Sequence, residues 1–266
     1  MKLFDSHAHY YDERFAAETE GGADSILSAL FSGDVGWIIN VGTNNENAAD
    51  CIAQAAKYEN MYAAVGIHPG DCRFYDDIDR EIVKLKNILR GGKEKKIVAL
   101  GEIGLDYHYD GTDKAKQQAF FDRQMELAEE IGLPVIIHDR EAHGDCFDTV
   151  CRYPNVKGVF HSYSGSAEMA LELVKRGWYI SFSGVLTFKN AHKVKEVAAA
   201  IPEDRILIET DCPYLAPHPH RGEINHSGLM TLTLKELADI RCVPYEKMAA
   251  VTVENAANFF GIGIKT

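Results

Sequence analysis

Short apolar runs and longer amphipathic stretches alternate along the chain. The apolar runs are KLFDS, GWIINVG, MYAAVGIH, IVALGEIG, LPVIIHD, VKGVFHS, WYISFSG and RILIETD. Several are apolar on successive residues and rich in valine and isoleucine, as strands buried on both faces are. Between them, AADCIAQAAKY, DREIVKLKNILR and QAFFDRQMELAEEIG repeat apolar residues at steps of three and four, which predicts helices. The last of these stops at Gly132, and Pro134 then opens a strand. Beyond Gly228 the pattern is helical again, LMTLTLKELADIR followed by a short helical stretch, VPYEKMAAVTVENAANFFG. Eight strands alternating with helices predict an α/β fold of the (β/α)8 TIM-barrel class, as one domain over residues 1–266. An open doubly wound sheet is the second choice, because no G-x-G-x-x-G follows the first strand.

The polar residues that interrupt this pattern fall at the strand ends. Asp5, His7 and His9 close the first run, and His68 ends the third. Glu102 and Asp106 end the fourth, His138 the fifth, His161 the sixth, and Glu209 with Asp211 the eighth. In a parallel barrel these ends share one face, where active sites of this class are built. Strand interiors there are normally valine, isoleucine and leucine, so histidines and carboxylates in these places predict a ligand set. Imidazole with carboxylate suits zinc, manganese, iron or nickel. The set exceeds the three protein ligands of a single catalytic zinc, which points to two ions sharing a carboxylate. His7 and His9, two apart on a strand, point the same way. A buried Glu102 needs a cation to offset its desolvation.

Composition changes this picture little. A net charge of −12 argues against a broad basic groove for nucleic acid. It leaves room for an enzyme that holds a few phosphates with bound cations and one or two arginines. The six cysteines, Cys51, Cys72, Cys146, Cys151, Cys212 and Cys242, form no C-x-x-C and read as reduced packing thiols. No apolar run reaches the roughly 18 residues of a membrane span. The N-terminus lacks a basic-then-apolar leader pattern, so cytoplasmic residence is expected.

The strings DSHAH, GIHP, GEIGLDY, PVIIHDREA, FHSYSG and IETDCPYLAP, in this order across nearly the whole chain, resemble the TatD-type deoxyribonuclease family of metal-dependent hydrolases. GEIGLDY and ETDCPYLAP are the specific ones, whereas DSHAH is shared more widely among amidohydrolases. The resemblance implies a TIM barrel with two divalent ions, Mg, Mn or Zn. His7, His9, Glu102 and Asp211 would hold one; Glu102, His138 and His161 would hold the other, with Glu102 bridging. It also implies hydrolysis of DNA or short oligonucleotide ends, 3′-5′ and exonuclease-like. The family's R-G-x-x-N-x-P appears here as RGEINHS, with Ser227 in the proline's place. Loss of the fixed proline φ is expected to loosen that loop and to affect substrate placement more than metal binding.

The expected mechanism is attack on phosphorus by a metal-activated water, with Asp211 and Glu102 as the catalytic carboxylates. Glu209 is expected to orient a ligand or to stand behind one. Arg140, Arg221, His68 and Asn225 are the expected substrate contacts, and Tyr107 or Tyr163 the candidate stacking surface for a base. An amidohydrolase acting on a C–N or ester bond is the alternative. Such enzymes often bridge two metals through a modified lysine near the end of the fourth strand, where this chain has Glu102. A non-catalytic metal-binding protein is the third reading, and the scarcity of cysteine near the ligands speaks against it.

Overall fold

Each of the eight apolar runs becomes a strand. In this computed structural model, which describes residues 2–92 and 94–264, they are β1 (Leu3–Ala8), β2 (Val35–Val41), β3 (Met61–Val65), β4 (Ile97–Asp106), β5 (Val135–Arg140), β6 (Gly158–Phe160), β7 (Tyr179–Phe182) and β8 (Ile206–Ile208). The helices are α1 (Glu13–Glu18), α2 (Gly22–Ser32), α3 (Ala48–Lys57), α4 (Ile78–Leu89), α5 (Lys114–Ile131), α6 (His143–Arg152), α7 (Ala167–Lys175), α8 (His192–Ala200), α9 (Met230–Arg241) and α10 (Tyr245–Phe260). Parallel strands alternating with helices are the expected (β/α)8 class. The chain divides into two compact units, Met1–Asn40 with His161–Thr266, and Val41–Phe160.

In the first unit β1 pairs in parallel with β2, and β7 with β8. A further parallel bridge from Ala8 to Cys212 carries the end of β1 along the segment that follows β8. Beneath this, the Phe4 ring stacks on Trp37 at 6.0 Å and on Phe260 of α10 at 5.9 Å. Burying such rings removes large apolar areas from water and fixes α10 against β1.

In the second unit β3, β4, β5 and β6 pair in turn, all parallel. Two buried glutamines of α5 occupy backbone groups beyond the regular ladder. Gln124 accepts from Ile67 N at 2.7 Å and donates to Ile67 O at 3.0 Å, and Gln117 accepts from Asp106 N at 2.9 Å. Buried backbone groups need such partners, so these side chains fix where β3 and β4 end. At Gly104, φ is +139° and a Cβ would lie 2.0 Å from His138 O. Glycine is required there for β4 to approach β5.

The helix boundaries depart from the sequence pattern where polar or small residues mask it. Helix α5 begins at Lys114, ahead of its apolar periodicity, because Asp113 caps the helix by accepting from Lys116 N. Helix α10 runs 16 residues, within the expected stretch but longer than the 12 of α9. Its buried face is built largely from alanine, threonine and asparagine, which leave little hydrophobic signature. Among the described residues, no helix is long and apolar enough to cross a membrane.

Candidate metal centre

The first unit gathers His7, His9 and Asp211. His7 lies within β1, His9 just past it, and Asp211 in the segment after β8. Backbone bonds fix their spacing, Asp211 N donating to His7 O at 2.9 Å and His9 N to Cys212 O at 2.8 Å. Asp211 takes φ +58°, which turns the chain at this point. His7 Nε2 and His9 Nε2 are 3.0 Å apart, and Asp211 Oδ1 is 3.6 Å and 3.3 Å from them. Donors around a tetrahedral zinc with bonds of about 2.0–2.1 Å stand roughly 3.3 Å from one another, so this spacing fits a shared cation. Burial alone would raise the Asp211 carboxyl. The hydrogen bond from His9 and the charges of His161 and His7 outweigh it and hold the group below the usual range.

His161 stands beside this set, its ring stacked on His7 at 4.1 Å and 14°. Its Nδ1 meets Glu209 Oε1 at 3.2 Å, and the same oxygen accepts Ser162 N at 2.7 Å. Glu209 is 1% exposed. A buried carboxylate on Nδ1 directs Nε2 as the coordinating atom, the arrangement that fixes ligand histidines in metal sites.

The second unit gathers His68, Glu102 and His138, whose donor atoms lie within 4.8 Å of one another. Glu102, inside β4, places Oε1 2.7 Å from His138 Nδ1 and 3.7 Å from His68 Nε2. The other nitrogen of His138 meets Asp106 Oδ2 at 3.2 Å. Burial pushes Asp106 up, but the hydrogen bonds from His138 and from His108 N outweigh it, so the carboxyl sits below the ordinary range. Asp106 therefore does for His138 what Glu209 does for His161. From sequence Asp106 is a strand-end carboxylate with no assigned task. Its signal was position, the last residue of β4, two turns of the pleat beyond Glu102.

Several expectations need correction. Asn225 is fully buried, and its amide is committed to the protein. Nδ2 donates to Thr210 O and Tyr214 O at 2.8 Å and 2.7 Å, and Oδ1 accepts His226 N at 2.9 Å. It braces the loop after Asp211 and has no group left for substrate. Ser227 does not loosen its loop. It is buried, and its Oγ donates to Asp5 Oδ2 at 2.7 Å. Tyr163 is 2% exposed and offers no face to a base. Tyr107 has its hydroxyl on Asp145 at 2.8 Å and Lys114 over its ring. Arg140 and Arg221 are exposed, lying over the rings of Tyr109 and Phe188 at 5.5 Å and 4.2 Å. His68, expected as a substrate contact, also lies in the second donor cluster.

The sequence profile of the TatD related DNase family matches residues 4–261. The chain belongs to this family. It is 38% identical over 263 residues to the uncharacterized metal-dependent hydrolase YabD of Bacillus subtilis, across 98% of this chain and 99% of that one. It is 34% identical to the uncharacterized metal-dependent hydrolase YcfH of Escherichia coli, across 98% and 97%. The crystal structure of YjjV, a TatD homologue from Escherichia coli, superposes with a TM-score of 0.90 at 30% identity, covering 98% of each chain. The fold class and the reading as a TatD-type metal-dependent hydrolase thus agree with the sequence expectation.

Proposed function

We propose that this chain is a divalent-metal-dependent phosphodiesterase that shortens DNA or short oligonucleotides from the 3′ end, acting in the cytoplasm. The observation that carries this reading is that each unit gathers a buried or half-buried imidazole–carboxylate set, and that His161 and His138 are turned by further carboxylates. His7, His9, His161 and Asp211 in the first unit, and Glu102 and His138 in the second, are the groups that would hold two ions, Mg, Mn or Zn. When bound, such ions supply Lewis acidity towards water and phosphoryl oxygens.

The chain's own residues do the rest. Asp211, held below the usual carboxylate range, is ionised at neutral pH and takes the proton of the attacking water on Oδ2, the oxygen left over from the His7–His9 set. Glu102 Oε1 lies 2.7 Å from His138 Nδ1 and 3.7 Å from His68 Nε2, so both rings present nitrogen to one place. Arg140 and Arg221, exposed and in no close ion pair among the described residues, fork onto phosphate oxygens. The family resemblance supports DNA as the substrate class, and Glu102 in the place of a modified lysine favours phosphodiester over amide chemistry.

The test is incubation of metal-defined protein with short DNA labelled at the 3′ or 5′ end, beside parallel assays on a nucleobase and a lactone. Stepwise shortening from the 3′ end is expected, abolished in His161→Ala and Glu102→Ala. Turnover of the nucleobase or lactone alone, or undiminished DNA cleavage in either variant, would overturn the proposal.

A further inference from the structure

Behind His7, His9 and Asp211 lies a hydrogen-bonded cluster that none of the assigned roles uses. Asp5 is 0% exposed, yet both its oxygens are filled. Oδ1 accepts His7 N at 3.3 Å and Thr210 N at 3.0 Å. Oδ2 accepts Thr210 Oγ1 at 2.6 Å and Ser227 Oγ at 2.7 Å. Ser227 spends its one hydroxyl proton on Asp5, so the bond between its Oγ and Tyr10 O–H, 2.7 Å long, is donated by Tyr10. The tyrosine oxygen in turn accepts Ser227 N at 2.9 Å. Thr210 Oγ1 accepts Cys212 N at 3.3 Å. Donor directions are therefore consistent throughout the chain from Tyr10 to Asp5.

All but one of the partners in the cluster sit on a segment that carries or flanks a ligand. His7 is itself in the set, Tyr10 follows His9, and Thr210 and Cys212 flank Asp211. Ser227 opens the turn Ser227–Leu229 and adds a third strap. Removing one donor leaves a buried carboxylate oxygen underfilled, and the cost falls on the segments whose spacing sets the Nε2–Nε2 and Nε2–Oδ1 distances.

We infer that Asp5 and Ser227 form a positioning pair for the His7–His9–Asp211 set, the serine having taken over a place where the family pattern has proline. This rests on the reading that those three residues hold a divalent cation. The pair touches no substrate and acts by holding the end of β1 and the segment after β8 in register.

The experiment is Mn2+ binding to the full chain by titration calorimetry, with the melting temperature of the metal-free protein measured alongside. In Ser227→Ala and Asp5→Asn, the ion bound by the first set is expected to weaken by about 10–100-fold, the usual effect of removing a group behind a ligand. Ser227→Thr, which keeps the hydroxyl, restores it. Thr252→Ala, which removes a buried hydroxyl in α10 bonded to Ala249 O, serves as the stability control and leaves Mn2+ affinity unchanged. If both variants melt lower but bind Mn2+ as the parent does, the pair is structural only and the inference fails. Ser227→Ala keeps the test decisive should Asp5→Asn not fold. A parent that binds no Mn2+ overturns the metal reading itself, and this inference with it.

Discussion

Replacing Glu209 with alanine tests whether a buried carboxylate behind a histidine serves the ligand or only the fold. Glu209 Oε1 takes Ser162 N at 2.7 Å and His161 Nδ1 at 3.2 Å. The first bond holds a strained residue, since Ser162 has φ +39°. A side chain in the left-handed region costs about 1–2 kcal/mol. Hydrogen bonds to charged groups contribute about 1.5–3 kcal/mol each, and leaving their donors buried and unpaired costs a similar amount. The longer His161 bond belongs at the low end, and relief of the Ser162 strain offsets part of the loss. The net destabilisation is therefore about 2–3 kcal/mol, or a fall in melting temperature of about 4–12 °C for a chain of this size. Freed from Glu209, His161 loses its fixed orientation, and divalent-metal affinity is expected to drop about 10–100-fold. Chelator competition measures the affinity, and scanning calorimetry of metal-free protein measures the stability. Ser183→Ala is the matched control, because it cuts the 2.7 Å Ser162–Ser183 hydroxyl bond without touching His161. It should melt lower and bind metal normally. Should Glu209→Ala behave like that control, Glu209 merely supports the backbone and the orienting argument is wrong.

Other perturbations follow from the same geometry. Gly104→Ala forces a Cβ within 2.0 Å of His138 O at φ +139°, so soluble yield should collapse or, in any folded fraction, metal binding by the second set should vanish; a stable variant with parental affinity would contradict the close approach. The Asp106 carboxyl is lowered in the folded state, so its contribution to stability is complete above the unfolded value of about 4 and is lost as pH falls through the folded one. Asp106→Asn should accordingly flatten the acid limb of the urea-stability profile of metal-free protein, and an unchanged limb counts against the His138 pairing. Burial pushes the Cys51, Cys72, Cys146 and Cys212 thiols up, whereas Cys242 is exposed. Native protein should give a prompt Ellman reaction that disappears in Cys242→Ser, and persistence of that phase would place the reactive thiol elsewhere.

The strands were legible because parallel strands covered on both faces leave almost no polar positions, so IVALG or PVII needs no partner to be recognised. The ligands were legible for the complementary reason. Histidine and carboxylate at the ends of such runs are conspicuous, and His7, His9, Glu102, His138 and Asp211 all fall into donor clusters with at least two others. Boundaries were less so. Glu102 stands inside β4 rather than at its end, while His161, Glu209 and Asp211 lie past the last paired residues of β6 and β8. The pattern marks where apolar side chains stop, and hydrogen bonds end by a different rule.

What sequence could not reveal is the layer behind the ligands, because its bonds join residues remote in the chain. Ser227 Oγ reaches Asp5 across 222 positions, and Thr210 reaches it across 205. Read alone, Asn225 in a polar loop looks available to substrate and Ser227 looks like a missing proline. Their partners are backbone carbonyls and a buried carboxylate, which leave no periodic trace. The same substitution that removes proline's fixed φ supplies a hydroxyl donor. In this loop the gain outweighs the loss, since leaving the buried Asp5 oxygen without this donor would cost about 1–3 kcal/mol, whereas an added proline typically contributes about 0.4–1 kcal/mol through the unfolded chain. A loop can therefore lose its stiffening residue and hold its place more firmly, provided that a buried acceptor stands within reach.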